Sequence, residues 1–261
     1  MVKMVTAHTS ELDNAQAAAQ EILGRLSGGG PIFGTSAFDQ SPGHHRTPLV
    51  IHKGEAYSDR LALILVWGAQ AENRFHISAL PPQNICSQPM PVTRAQGNKL
   101  ISINNMSAAK FMEQTGVICA ENTDSIYAFP LLIDNHDGAG LKPCAMYDIE
   151  EDGALRCGCA FSPGATLQLA NQVRESVLHS SEQIAESIKR ESTGNGHLVF
   201  SCFGRSAPLV DLKDEMRLFQ KHLRETPYLF IYSGGEFCPV YDGRGGIRNE
   251  FHQFSIVSIS F

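Results

Sequence analysis

"VTRAQGNKLISINNMSAAKFMEQTG" runs from Val92 to Gly116 and carries the pattern that decides the fold. The Gly97-Asn98 pair separates two short strand-like runs and is a hairpin turn signal. The second run closes on Ile103-Asn104-Asn105, and Ser107 then stands where a helix takes its N-cap, ahead of an alanine-containing run that stops at Gly116. A hairpin that feeds straight into a helix belongs to α+β architecture, because a parallel βαβ unit would place the helix between its two strands.

The same grammar extends outward. Upstream, "PPQNICSQPMP" (81–91) is rich in proline and polar residues and is the best boundary candidate. Before it, "TSELDNAQAAAQEILGRLSGGG" predicts a helix with Ser10 as cap, Asp13 in its first turn and Gly28 to Gly30 as its stop. Strands follow in "PIFGTSAF" (31–38), "LVIHKG", "LALILVWG" and "RFHISAL". Downstream, "YAFPLLIDN" and "TLQLAN" read as strands, and "LKPCAMYDIEEDGALRCGCAF" as two strands around an Asp152-Gly153 turn. A long helix is predicted from Asn171 to about Glu191, with Val173, Val177, Ile184 and Ile188 on one stripe. Then come a buried strand "HLVFSCFG", a helix over roughly 213–224, a strand "YLFIYSGG" and one final strand "HQFSIVSISF". The expectation is a mixed α+β fold, with hairpin-rich sheets and packed helices in two subdomains, 1–84 and 85–261. No repeat of fixed period is present.

The chain has 261 residues, 43% of them hydrophobic and 18% charged, with a net charge of −6. This is globular composition with room for a sizeable core. Lys and Arg are scattered and form no basic stripe, so nucleic acid is not expected as a partner. The most apolar run, Leu61 to Gly68, falls far short of the roughly 18 to 20 residues that span a bilayer. "MVKMVTAHTSELD" has no secretory pattern, and a cytoplasmic location is expected with no membrane contact. Seven cysteines, with no C-x-x-C pair, argue against a disulfide framework or a structural zinc. Cys157 and Cys159, two apart on a strand, share a face and read as small buried hydrophobes in preference to a redox or metal pair.

The chemistry candidates concentrate near the end of the chain. "YSGGEFCPVYDGRGGIRNEFH", Tyr232 to His252, contains the letters GGEF, one acidic residue short of the diguanylate cyclase signature; the missing acid and the short chain remaining after Glu236 exclude that reading. "SGGGPIFG" runs from helix into strand, the reverse of a phosphate loop, and reads as a helix stop. His44, His45 and His52 read as solvated loop histidines, and no metal site is expected. Cys202, with His252 as base and Glu236 as orienter, is the nucleophile of an alternative reading, a thiol-dependent enzyme.

Three stretches, "VFSCFGR", "FIYSGGEFCPV" and "RNEFHQFSIVSISF", resemble the closing signature of the FIST family of sensory proteins, and "VTRAQGNKLISINNMSAAKFMEQTG" is similar to the opening of the FIST C-terminal module. "GGGPIFGTSAFD" and "HRTPLVIHKGEAYSDRLALILVWG" resemble the later part of the FIST N-terminal module. On this resemblance residues 1–84 form a partial N-terminal module, truncated at its start, and 85–261 a C-terminal one. The resemblance implies a non-catalytic, cytoplasmic input domain for small molecules such as amino acids. It would work through a separate output protein such as a histidine kinase, a cyclase or a chemoreceptor. Haem, bound by nitric-oxide-sensing relatives, is the alternative cofactor to none. The expected ligand-binding residues are Cys202, Gly204, Arg205, Gly235, Glu236, Asn249 and His252. Arg205 suits a carboxylate and Glu236 an ammonium group, and pairing of the two with each other is an equal alternative.

Overall fold

The computed structural model describes residues 2–8, 25, 30–37, 49–58, 61–66, 74–118, 129–138, 140–191, 196–241 and 246–260. The helix expected after Ser10, the histidines 44 and 45, and Cys119 lie outside the described residues. The strands are β1 (Val2–His8), β2 (Ile32–Ala37), β3 (Val50–His52), β4 (Glu55–Tyr57), β5 (Leu61–Val66), β6 (Phe75–Ser78), β7 (Met90–Gln96), β8 (Lys99–Ile103) and β9 (Met106–Ser107), ahead of helix α1 (Ala108–Gln114). Next come β10 (Leu131–Asp134), β11 (Lys142–Cys144), β12 (Met146–Ile149), β13 (Leu155–Cys157), β14 (Thr166–Leu169) and helix α2 (Arg174–Glu191). The chain closes with β15 (His197–Cys202), helix α3 (Lys213–His222), β16 (Tyr228–Ser233), β17 (Glu236–Tyr241), β18 (Ile247–His252) and β19 (Ile256–Ser260). The fold is α+β. Close contacts divide the chain into two units: Met1–Ser78 with Leu178–Phe203 and Val210–Phe261, and Ala79–Val177 with Gly204–Leu209.

The first unit holds two larger sheets, β18-β17-β2-β1-β5 and β16-β15-β19-β6. Strands β15 and β16 run parallel, from His197↔Tyr228 to Cys202↔Ser233, with α3 as their crossover. Period-two alternation along β19 sorts its side chains. Ile256 joins Ile184, Ile188, Val199 and Phe219 on the helix side, whereas Val257 and Ile259 join Phe33 and Cys238 on the side of the other sheet. A strand covered on both faces reads as a near-continuous buried run, and every residue of β19 is buried. Burying each large apolar side chain contributes roughly 1.5–3 kcal/mol.

Two expectations need correcting here. "HQFSIVSISF" is not one strand: β18 ends at His252, and the buried Phe254 takes a left-handed φ of 54° that turns the chain into the other sheet. The segment after the first methionine, to which no strand was assigned from sequence, forms β1 between β2 and β5. Its register, Lys3↔Ile32 and Val2↔Val66, depends on partners remote in sequence.

The second unit is built on one sheet, β11-β10-β14-β7-β8-β13-β12, with β9 on β8. Ala108 and Met112 of α1 pack into its core with Leu100, Ile103, Leu131 and Leu155. Ser107 occupies the N-cap position as expected, yet its hydroxyl makes no capping bond. Val173, expected on the apolar stripe of α2, precedes the helix and is exposed. The cysteine reading also changes, because Cys144 and Cys159 form a disulfide with Cα atoms 5.9 Å apart. The β12–β13 hairpin pairs Met146 with Cys157, and Gly158 N–H donates to the Ala145 carbonyl at 2.9 Å. Continuing that antiparallel register outward by two residues sets Cys159 across from Cys144.

Candidate functional site

Within the first unit, polar side chains gather at the carboxyl ends of β15 and β16. Glu236 opens β17 directly after Gly234 and Gly235 and is completely buried. Its carboxylate accepts hydrogen bonds from Ser233 Oγ and from Ser255 Oγ at 2.6 Å. The backbone around it is pinned by β2, with Ser36 N–H donating to the Gly235 carbonyl at 2.9 Å and Gly234 N–H to the Ser36 carbonyl at 2.8 Å. Gly235 has φ +141°, and a Cβ placed there would lie 2.2 Å from Phe251 Cζ. Only glycine fits this corner.

A second buried carboxylate, Glu215, comes from the first turn of α3, where the helix dipole favours negative charge. Ser181 Oγ donates to it at 2.6 Å, Ser201 Oγ lies 3.2 Å from its Oε2, and Tyr232 O–H lies 3.0 Å away. Ser233 Oγ also lies 3.4 Å from the Ser201 carbonyl. Hydroxyls at the ends of the two parallel strands thus join the surroundings of both carboxylates, in the region where open sheets with helical crossovers hold ligands.

Asn249 clamps backbone: its Oδ1 accepts from Ile32 N–H at 2.8 Å and its Nδ2 donates to the Gly30 carbonyl at 2.9 Å. His252 stands opposite Glu236 in the β17–β18 register, and its Nε2 donates to the Cys238 carbonyl at 3.0 Å. Cys202, buried at the end of β15, donates its backbone N–H to the Ser255 carbonyl at 2.9 Å. Burial raises the Cys238 thiol pKa well above its usual value, and the charge of Glu236 adds to the effect.

Gly204 and Arg205 belong to the second unit. They lie in a single helical turn, Phe203–Ser206. Arg205 is buried and its Nη2 donates to the Val177 carbonyl at 3.1 Å. Beside it, Gln172 Nε2 donates to the Gly204 carbonyl at 3.0 Å, while the buried Gln172 Oε1 has no hydrogen-bond partner among the described residues.

Sequence reading missed Glu215, Ser201, Ser233, Ser255 and Gln172. Glu215 had a signal: it sits four residues before Phe219 on the inward stripe of α3, and both are fully buried. The serines had none, since a serine in a buried strand is ordinary until its partner is seen.

The sequence matches the family model of the FIST N domain over residues 10–106 and that of the FIST C domain over residues 108–239. No curated protein matches the chain. With the C-domain match covering more than half of the residues and the N-domain match preceding it, the chain belongs to the FIST family.

Proposed function

We propose that this chain is a ligand-binding sensory module for a small charged metabolite such as an amino acid. FIST domains are associated with sensory roles in signal transduction and typically sit with signalling output domains. In this reading Glu236, in the first unit, recognises an ammonium group, and Arg205, in the second, is a separate candidate for a carboxylate. The observation that carries it is the withdrawal of both ions from water, Glu236 at 0% and Arg205 at 2% exposure. Burying an ion costs several kcal/mol, and apolar residues brace strands as well or better; retention of charge at these positions favours recognition. Gln172 Oε1 adds an acceptor in need of a donor beside Gly204. The cluster around Glu236 is polar and filled with hydroxyls, a poor slot for a macrocycle, and the reading has no step through haem. Occupancy would shift the output partner, a histidine kinase, cyclase or chemoreceptor, between two states by differential affinity.

The test is a thermal-shift screen of the full chain against amino acids, simple amines and simple carboxylates. A true ligand at a hundred times its Kd stabilises by about 2.7 kcal/mol. Glu236→Gln should remove the shift given by ammonium-bearing compounds, and Arg205→Gln that given by carboxylates, while far-ultraviolet circular dichroism stays native. A panel without any shift would sink the reading. Variants that unfold outright would assign the two residues to bracing.

A further inference from the structure

Helix α2 carries Glu182 and Glu186 one turn apart, so the two carboxylates lie side by side on its surface. Ile184, Ala185 and Ile188 of the same helix share an apolar cluster with Phe219 and Leu223, and this contact holds α3 alongside. His222, between those two anchors in sequence, is the last residue of α3 and comes to the rim of the contact. Its Nε2 lies 3.4 Å from Glu182 Oε1. One donor atom from each of Glu182, Glu186 and His222 falls within 4.8 Å of the other two. We propose that these three side chains form a divalent-metal site on the first unit, suited to Zn2+ and its transition-metal neighbours.

Three features support the assignment. A tetrahedral ion with bonds of about 2.1 Å sets its ligand atoms roughly 3.4 Å apart, which is the separation already present between His222 and Glu182. Glu186, the exposed member, has the rotamer freedom to close the remaining edges. Two carboxylates at i and i+4 repel each other, and a cation between them turns that cost into attraction. The mixed nitrogen and oxygen donors favour Zn2+ or Co2+ over Ca2+ and Mg2+, which take all-oxygen sets. Three protein ligands leave a fourth position for water or an anionic group. A bound ion would tie the end of α3 to the middle of α2, on the two helices that supply Glu215 and Ser181. This proposal stands apart from the small-ligand reading, since the site lies on the outer rim of the helix pair and needs neither Glu236 nor Arg205.

The experiment uses the full chain without an affinity tag, stripped with chelator and titrated with ZnCl2 or CoCl2 alone. One equivalent of Co2+ should bind and give the visible absorption bands of a four-coordinate ion, with a rise in Tm. His222→Ala should abolish the bands, and Glu186→Gln, a change at an exposed position, should weaken binding by at least about tenfold. Both variants should melt as wild type without metal. The proposal is overturned by the absence of saturable binding or by unchanged binding in His222→Ala. A thiolate-to-cobalt charge-transfer band, which would place the ion on a cysteine, overturns it equally.

Discussion

At Gly235 a single added methyl group has no space, since it would meet the ring of Phe251 and the His252 carbonyl while φ stays at +141°. Gly235→Ala should therefore destabilise the fold by about 2–3 kcal/mol, read as a lower urea midpoint at unchanged slope. Asn249→Ala leaves the Ile32 N–H and the Gly30 carbonyl without their side-chain partner and should cost about 1–3 kcal/mol in the same assay. An unchanged midpoint would show that water replaces the amide. Thiol chemistry separates the ligand-binding reading from the enzyme reading at this scale. Burial raises the Cys157 thiol pKa, and burial with Glu236 raises that of Cys238, whereas Cys86 is exposed. Under brief alkylation of the native protein, intact mass with peptide mapping should find Cys86 modified before Cys157, Cys202 and Cys238, which react only on unfolding. Rapid, selective loss of Cys202 would instead support a nucleophile.

Among the elements, the β12–β13 hairpin carries two separable devices. The Cys144–Cys159 bridge closes a separation of 15 residues, which corresponds to about 3 kcal/mol of loop-closure entropy. Reductant should lower the urea midpoint of the wild type and leave that of a Cys144→Ser/Cys159→Ser double variant unmoved. The second device is ionic: Lys99 Nζ bonds Glu150 and, at 2.8 Å, Asp152, while Arg156 reaches Glu150 at 3.2 Å. The hydrogen bond from Lys99 is the first cause lowering both carboxyls below their usual range, and its bonds to Asp152 and Glu150 raise Lys99. Groups lowered in the fold stabilise it above the unfolded carboxylate range near about pH 4 and lose that contribution as pH falls through the lowered values. The Lys99 contribution is complete below about pH 10.4 and fades above it. Lys99→Met should flatten the acid limb of Tm against pH, and added salt should shrink the difference between the two proteins because these groups face solvent. This hairpin was legible in the sequence through Asp152-Gly153, but its disulfide was not, because the register shifts between Met146 and Asp148, and counting outward from the turn without that shift sets Cys144 across from Ala160. Spacing alone led Cys157 and Cys159 to be read as small buried hydrophobes on one strand, whereas β13 ends at Cys157 and Cys159 bonds to Cys144.

For the whole molecule, the α+β class followed from local signals: the Gly97-Asn98 turn, the helical stripe through Val177, Ile184 and Ile188, and the apolar run of β15 are each properties of a short window. The family resemblance was legible in the same way, as separated motifs in a fixed order, and both family-model matches agree with it. How the chain is divided between the two units was not, because the first unit is assembled from three separate stretches of chain. β1 lies beside β2 and β5, and β17 adds to β2 from the far end of the sequence. Such pairings depend on loop closure over long separations, on which local propensity is silent. The candidate site divides along the same line. Sequence by itself singled out the candidates, among them Cys202, Arg205, Glu236, Asn249 and His252, because glycine-framed polar residues at apolar strand ends stand out in one dimension. Only tertiary structure decided what each one touches: Asn249 holds the backbone entering β2, His252 bonds the Cys238 carbonyl, and Glu236 sits among serine hydroxyls. Hydrogen bonds form across space, and their partners lie up to 219 residues away along the chain.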